Sequence, residues 1–390
     1  MASGQEPYLV IVRLGPVHNV ENHLLFFARA FAPVLDGEIA TRSGQQAHYQ
    51  VGRFKIRLYA WGSRFLPEPV RRILYTARVV GHGLRLRWLE GKRLVVITYD
   101  PFQSGVIGLL LKWLTGAAFI CEVNGVFGDP NTLIDLEDQR KAERKRKWML
   151  RVGSWMLRRA DFIKLLYPGQ LMGFMVPADR PPRASFHELI HTAAFEPTGR
   201  APEDRLIFVG HPYLLKGVDL LLEAFARVAP EFPGWRLLVV GWRIEESARG
   251  ADFPRDRVEF RGPSEPPILR ELIEGSSALV LPSRSEGMGR VLLEAAFLGR
   301  ARIGSTAGGI PHVVEDGEDG LLFRSGDVND LVRALRRFMG LSPGERARMG
   351  AAARKRALES FTTDAYVRHY LEIIRRVAPQ DPADGGSALH

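Results

Sequence analysis

The sequence predicts an α/β protein built from two doubly wound domains that face each other across a cleft. Three observations lead to this prediction. The chain has 390 residues, more than one hydrophobic core usually serves. Hydrophobic residues at 46% and charged residues at 25% are ordinary globular values. Short apolar runs alternate with segments of helical spacing, which is typical of a parallel sheet covered by helices.

Residues 1–197 are predicted to form the first domain. Its strands are expected at Tyr8–Leu14, Phe54–Ala60, Leu94–Thr98, Ala117–Val123, Phe162–Leu166 and Phe186–Ile190. Its helices are expected at Glu21–Phe31, Gly105–Leu114 and Glu137–Arg159. The segment from Glu196 to Pro202 holds two prolines and a glycine, which predicts a linker between domains.

Residues 198–363 are predicted to form the second domain. Its strands are expected at Leu206–Val209, Arg236–Val240, Val258–Phe260, Ala278–Leu281 and Ala301–Gly304. Val218–Val228 keeps its apolar residues on one helical face and is expected to be a helix. A closing helix near 364–377 is expected to pack back on the first domain. The Pro/Gly/Ser/Asp-rich residues 378–390 are expected to be a disordered tail.

Positive charge is concentrated in the first half of the chain. Residues 1–200 hold 28 Lys+Arg and 17 Asp+Glu, whereas residues 201–390 hold 26 and 27. Two stretches in this half, 70–93 and 140–159, mix cations with large apolar side chains. A basic helix of this kind can lie on an anionic membrane surface, although packing on the domain's own sheet is the alternative. Nucleic acid is not expected as a partner, because no recognised binding module is present.

Several other classes of protein are excluded by what the sequence lacks. A single cysteine, Cys121, rules out a disulfide framework and a cysteine-based zinc site. There is no dinucleotide-binding glycine motif, no Walker lysine motif and no metal-binding cluster, so no metal is expected. The N-terminus has no basic region before its apolar stretch, and the longest apolar run is interrupted by Lys112. We therefore expect a cytoplasmic protein, peripheral on the inner face of the membrane if the basic stretches bind lipid.

The segment Leu279–Pro311 carries the strongest chemical signal. A buried strand is followed by a glycine-containing loop and then by a helix expected from about Met288 to Leu298. Free N–H groups at the helix start, with glycines beside them, let an anion approach closely. Glu286 and Glu294 lie roughly 9 Å apart along this segment, at 1.5 Å per helical residue. Two carboxylates so spaced could hold both ends of a nucleotide sugar, with its diphosphate between them. Two exposed glutamates on an amphipathic helix are the alternative.

A second motif follows the first strand of the second domain. It reads Phe208-Val-Gly-His211-Pro-Tyr-Leu-Leu-Lys216-Gly217 and precedes a helix. A lysine here can point into the cleft and neutralise a diphosphate, whereas a solvated surface charge is the alternative.

Together these motifs resemble family 4 retaining glycosyltransferases of the GT-B fold. The resemblance rests on Glu286-x7-Glu294, the Gly-Gly-Ile-Pro segment 308–311, the segment 316–323 and the Val209-Gly-x5-Lys-Gly217 pattern. It is specific over residues 205–340 and looser in the first half, where 99–102, 121–125, 160–163 and 169–170 fit the acceptor-domain pattern.

The resemblance implies a role for each matched residue. Glu286 would bind hydroxyls of the donor sugar, Glu294 the ribose hydroxyls and Lys216 the diphosphate. Backbone amides would contact sugar and phosphate from Gly287, Met288 and Gly289, and from the loop around Gly15. Three positions depart from the family pattern. His211 stands where an arginine is common, Asn124 where a histidine is frequent, and Gly15 where two glycines often occur.

The function implied is retaining, metal-independent transfer of a sugar from a nucleotide-diphosphate sugar to a hydroxyl acceptor. The acceptor is expected to be a glycan or lipid-linked, and no cofactor is expected beyond the donor substrate. Glu286, Lys216, Asn124 and His211 are the expected catalytic positions. Two alternatives stay open: a catalytically weak nucleotide-sugar-binding subunit that supports another transferase, and a phosphorylase or epimerase of the same fold.

Overall fold

A computed structural model describes residues 6–13, 24–44, 46–60 and 66–378 of the chain. Within these ranges the protein has two β-sheets, each doubly wound as predicted. The described strands of the first sheet are β1 (Tyr8–Val12), β2 (Gly37–Ser43), β3 (Ala47–Val51), β4 (Phe54–Ala60), β5 (Leu94–Thr98), β6 (Ala118–Glu122), β7 (Phe162–Leu165) and β8 (Arg183–Ser185). The helices of this half are α1 (Phe26–Phe31), α2 (Glu68–Trp88), α3 (Gln103–Thr115) and α4 (Gln139–Leu157).

The first sheet has the order β3-β4-β2-β1-β5-β6-β7-β8, and β3 is antiparallel to β4 while the other pairs are parallel. Successive residues of β1 serve opposite faces, as the period of a strand requires. Leu9 and Ile11 pack with α1, whereas Val10 and Val12 pack with α2 and α3. The strand order reverses between β1 and β5, which creates a crevice at their carboxyl ends.

The second sheet is parallel throughout and has the order β11-β10-β9-β12-β13-β14. Its strands are β9 (Glu203–Val209), β10 (Arg236–Val240), β11 (Val258–Arg261), β12 (Ser276–Leu281), β13 (Ala301–Ser305) and β14 (Gly320–Phe323). Its helices are α5 (Val218–Val228), α6 (Ile244–Ser247), α7 (Pro266–Glu274), α8 (Arg290–Phe297), α9 (Val328–Met339) and α10 (Pro343–Ser360). Its order reverses between β9 and β12, so a second crevice opens there.

The last helix, α11 (Thr363–Val377), packs on the first sheet. Tyr366 and Tyr370 share an apolar cluster with Ile11 and Phe31, which lie more than 330 residues earlier in the chain. The division of the chain near residue 197 stays a prediction. Residues 379–390 of the expected tail lie outside the described residues.

Some predicted elements differ from the structure. The strand expected at Phe186–Ile190 is wrong, because β8 ends at Ser185 and Phe186 turns its ring into the aromatic cluster of α11. The helix expected from Met288 begins two residues later. Gly289 precedes it with φ +74°, a left-handed conformation that a helical residue cannot have.

In the part of the chain that the structure describes, no helix combines the length and the apolarity needed to cross a membrane.

Candidate functional site

A cavity of about 830 Å³ lies between the two sheets, where their carboxyl ends meet. Arg13 reaches it from the end of β1 and Asn124 from the end of β6. Gly210 follows β9, and the segment 286–291 follows β12. The two crevices that the strand orders create therefore form one continuous site.

An ion pair joins two of the predicted residues in the cavity wall. Lys216 Nζ lies 2.6 Å from Glu286 Oε2, and the two side chains are 20% and 12% exposed. Ser283 donates a hydrogen bond to the same carboxylate oxygen at 3.0 Å. The ammonium can neutralise an anion that enters the cavity, while the carboxylate can accept hydrogen bonds from hydroxyl groups.

The glycines of the segment 307–311 bring another loop directly beneath Glu286. A Cβ atom on Gly308 would collide with the backbone oxygen of Glu286, and one on Gly309 would collide with that of Gly287. Gly309 also donates its N–H to the Glu286 oxygen at 3.3 Å. These close contacts fix the position of the backbone at Glu286 and Gly287, and therefore the position of the Glu286 carboxylate.

Glu294 lies on helix α8, which follows the loop that carries Glu286. Its side chain is 12% exposed and lies 3.5 Å from Arg290. Burial raises the pKa of this carboxyl above its ordinary value; the charge of Arg290 opposes the shift, and Glu188 adds to it. A carboxylate that is poorly solvated gains more from a hydrogen-bonding ligand than an exposed one does.

Contacts between the two halves of the chain hold the loop that carries Lys216. Asp135 accepts hydrogen bonds from the N–H groups of Leu214 and Leu215, each at 3.0 Å. On the other side, Arg284 donates to the oxygen of Leu214 at 2.6 Å. The loop is therefore fixed from both sides of the cavity.

The structure brings together seven of the predicted residues in the lining of this cavity: Asn124, Lys216, Glu286, Gly287, Met288, Gly289 and Glu294. His211 is not among the described lining residues; it is exposed, and its ring lies 6.5 Å from that of Trp242. Gly15 lies outside the described residues.

Sequence reasoning missed other charged residues of the lining, namely Arg13, Glu188, Glu265 and Arg290. Arg13 carried a local signal, because it follows a buried strand. Glu188 lies inside the strand predicted at Phe186–Ile190, and a strand prediction gives no reason to place a side chain in the cleft. Among the described residues, no group of three or more His, Cys, Asp or Glu could hold a metal ion. Metal independence of the chemistry stays a prediction.

Comparison with known families and proteins supports this description of the second half. Residues 203–340 match the family model described as Glycosyl transferases group 1. A D-inositol 3-phosphate glycosyltransferase of Stackebrandtia nassauensis is 34% identical over 198 residues, which are 45% of this chain and 44% of that protein. One from Streptomyces avermitilis is 33% identical over 231 residues, 51% of this chain and 50% of that protein. The chain thus spans about half the length of the curated relatives it matches.

Solved structures resemble the whole chain. Sucrose-phosphate synthase from Thermosynechococcus elongatus has a TM-score of 0.77 at 19% identity, covering 95% of this chain and 98% of that one. Anabaena HepE in complex with UDP-glucose has a TM-score of 0.72 at 13% identity, covering 95% and 99%. At such identities the likeness concerns the fold alone, and it confirms the predicted GT-B architecture.

Proposed function

We propose that the chain transfers a sugar from a nucleotide-diphosphate sugar to an acceptor hydroxyl, with retention, a function supported by the match of residues 203–340 to the family model described as Glycosyl transferases group 1. The observation that carries the proposal is the Lys216–Glu286 pair in a cavity between the two sheets. A cation for the diphosphate and a carboxylate for sugar hydroxyls lie within one hydrogen bond of each other. The similar structure of HepE is a complex with UDP-glucose, a ligand that has a diphosphate and sugar hydroxyls.

In the proposed reaction, Lys216 and the backbone amides at 287–289 stabilise the charge that develops on the departing diphosphate. Stabilising such charge with groups already in place is a large catalytic term. The bond between the sugar carbon and the diphosphate oxygen breaks, and the bond to the acceptor oxygen forms on the same face. The acceptor proton passes to the departing phosphate oxygen. Glu286 orients the sugar, and Glu294 accepts hydrogen bonds from the ribose.

Contacts across the cavity support a site that is enclosed during transfer. Asp135 fastens the Lys216 loop from the first half of the chain, and Thr132 Oγ1 lies 3.2 Å from Ser285 Oγ. An enclosed cavity excludes water, which reduces hydrolysis of the donor.

A screen of nucleotide sugars tests the proposal directly. Thermal shift and calorimetry are run with UDP-, GDP-, ADP- and TDP-sugars, with and without magnesium. A ligand that binds only the folded state raises the melting temperature by mass action. We expect one nucleotide to dominate without magnesium, and Glu294→Ala to abolish its shift. A chain that binds a nucleotide sugar without transferring it would instead support the subunit alternative, for which His211→Arg should raise transfer markedly. Phosphate-dependent cleavage, or turnover without an acceptor, would support a phosphorylase or an epimerase.

The acceptor is proposed to be lipid-linked or part of a surface glycan, at the inner face of a membrane. Helix α4 exposes Trp148 and Trp155 at 58% and 40%, beside the exposed cations Arg144 and Lys145. Helix α2 exposes Ile73 and Trp88 in the same way. Aromatic rings with cations around them suit the interface of an anionic bilayer. The acceptor would then reach the cavity from the side of the first sheet.

A further inference from the structure

A stacked pair of side chains marks the crevice of the first sheet. Arg13 follows β1 and Tyr99 follows β5, the two strands between which the strand order reverses. The guanidinium carbon of Arg13 lies 4.3 Å from the centre of the Tyr99 ring. Stacking of this kind holds a guanidinium by its face and leaves the N–H groups at its edge available. Because ligands of such sheets bind in this crevice, Arg13 is placed to contact one.

Arg13 is the cation of the cavity lining that has no carboxylate partner in the described part of the chain. Three Lys or Arg side chains line the cavity among the described residues. Lys216 is paired with Glu286 at 2.6 Å. Arg290 lies 3.5 Å from Glu294. The half-buried side chain of Arg13 makes no ion pair or hydrogen bond with a described residue, and its nitrogens are not among the fully buried atoms that lack a partner. Its positive charge is therefore open to an anion in the cavity.

The carboxylates near Arg13 leave this charge available. Glu188 lines the same cavity, but it forms no ion pair with Arg13 or with any other described residue. Glu122 feels the charge of Arg13, yet its carboxylate already lies 3.8 Å from Lys164 and accepts a hydrogen bond from Asn124 at 2.8 Å. A ligand anion would thus not have to displace a carboxylate from Arg13.

Consecutive contacts connect Arg13 with the loop that carries Glu286. A Cβ atom on Gly287 would lie 3.8 Å from the backbone oxygen of Asn124. Asn124 in turn donates a hydrogen bond to the backbone oxygen of Tyr99 at 3.3 Å, and Arg13 stacks on the ring of that residue. Arg13 therefore lies across the cavity from the Glu286 loop, on the side of the first sheet.

The chemical group that suits this arrangement is the diphosphate of the donor. A guanidinium offers parallel N–H groups that match two oxygens of a phosphate. Lys216 is the cation that the second sheet supplies for the same group, whereas His211 is not among the described lining residues. A phosphate gains more from a second full positive charge than a sugar hydroxyl does, because only the phosphate is itself charged.

From these contacts we infer that Arg13 binds the diphosphate of the nucleotide sugar from the first sheet and, with Lys216, stabilises the departing nucleoside diphosphate. The inference rests on the proposed function and adds a catalytic residue to it. When the bond between the sugar carbon and the diphosphate oxygen breaks, its electron pair stays on that oxygen. The acceptor oxygen bonds the sugar carbon, and the acceptor proton moves to the departing phosphate. Arg13 keeps its own protons, since a guanidinium does not deprotonate in proteins, and donates hydrogen bonds to the charge that develops.

The role of Arg13 can be measured by binding, with ligands that differ only in their phosphates. Calorimetry is used to titrate UDP and GDP into the protein. Saturation-transfer difference NMR is used for uridine and guanosine, which have the same bases and ribose without phosphate. The test variants are Arg13→Met, which removes the charge, and Arg13→Lys, which keeps the charge without the fork of N–H groups. Arg159→Met is the matched control, because Arg159 also stacks on an aromatic ring, that of Trp155 at 4.0 Å, but is not among the described lining residues.

We expect Arg13→Met to weaken binding of the preferred nucleoside diphosphate about tenfold or more, the effect of losing hydrogen bonds to a charged group. Binding of the matching nucleoside should not change, because it has no phosphate. Arg13→Lys should keep part of the affinity for the diphosphate, and Arg159→Met should bind both ligands normally.

The outcomes separate this inference from the proposed function. An equal loss of nucleoside and nucleoside diphosphate binding in Arg13→Met would mean that Arg13 supports the fold of the site, and would overturn the inference. Unchanged binding of UDP and GDP in that variant would also overturn it, and loss of glucose 6-phosphate binding alone would assign Arg13 to a phosphorylated acceptor instead. A failure of the unchanged protein to bind either nucleoside diphosphate would count against the proposed function itself.

Discussion

At the scale of single residues, Glu286 is the carboxylate on which the proposed chemistry depends most. It bonds Lys216 and Ser283 in the cavity wall. We expect Glu286→Gln to lower kcat/KM for transfer by about a hundredfold, the order seen when one transition-state contact is removed. The fold should be retained, because the amide oxygen of glutamine can still accept hydrogen bonds from Lys216 and Ser283. Steady-state kinetics with the donor that binds best would measure the effect.

Glu259→Gln serves as the control for that change. Glu259 also bonds a cation, Arg261, at 2.6 Å, but it is exposed on β11. Near-normal turnover of the Glu286 variant would mean that the site is misassigned.

Glu294 offers a prediction in which stability and binding move in opposite directions. Burial raises its pKa, so the folded state holds the proton more tightly than the unfolded state does. Stability from this group therefore falls as pH rises from the unfolded pKa through the folded one. We expect Glu294→Gln to raise the melting temperature at pH 7 by about 1–4 °C, while nucleotide binding is lost. Thermal melts from pH 4 to 8 would show a flatter profile for the variant.

Glu274 is a second carboxyl for comparison, and its pKa shifts in the opposite direction to that of Glu294. Burial raises its pKa, but hydrogen bonds from Thr198 and neighbouring backbone amides outweigh this and lower it. Its stabilising contribution is present above the unfolded pKa and is lost as pH falls through the folded one. Glu274→Gln should therefore destabilise the protein at pH 7. The same sign of change in both variants would contradict this account of the two carboxyls.

At the scale of elements, the loop 212–217 depends on Asp135 from the other half of the chain. Asp135→Ala removes both acceptors for the amides of Leu214 and Leu215. We expect faster hydrogen exchange at these two amides and a several-fold loss of nucleotide affinity, because the Lys216 loop becomes less ordered. Asp138→Ala is the control, since that carboxylate caps α4 instead. Unchanged exchange at 214 and 215 would mean that the two halves do not hold this contact in solution.

The exposed cations of helix α4 allow the proposed membrane binding to be tested. Arg144 and Lys145 are exposed, whereas Arg146 is bonded to Glu143 and to the backbone oxygen of Gly128. Reversing Arg144 and Lys145 to Glu should therefore change surface charge without disturbing the fold. We expect sedimentation with anionic liposomes to fall strongly and binding to neutral liposomes to stay low. Sedimentation equal to that of the unchanged protein would remove the proposal.

Elements with strong apolar runs were predictable from sequence, and those without them were not. The predicted bounds of β4, β5, β10 and α5 agree with the structure. Edge strand β3 was missed because its residues are mostly exposed and polar, which leaves no apolar run. Strand β2 was missed because it holds Glu38, whose burial depends on the distant partners Arg57 and His82.

At the scale of the whole molecule, the residues of the site were predictable only where a local sequence motif marks them. The Glu286 and Lys216 loops were found because each motif is continuous in sequence. The buried pair of Glu122 and Lys164 was not predicted, since these two residues meet only when β6 and β7 pair. The contact of Tyr370 with Glu122 spans 248 residues. No local pattern predicts a contact of this kind.

Helix α11 therefore packs on the first half of the chain, and the loss of this packing should lower the stability of that half measurably. Tyr366 is 2% exposed and packs against Phe27, Phe31 and Phe186. We expect Tyr366→Ala to destabilise this half by about 3–5 kcal/mol, the usual cost of removing a buried aromatic ring. In calorimetry the transition of the first half should fall by roughly 10 °C, while nucleotide still stabilises the second half. Tyr49→Ala, on the exposed edge strand, is the control. A shift confined to the nucleotide-stabilised transition would mean that α11 supports the second sheet instead.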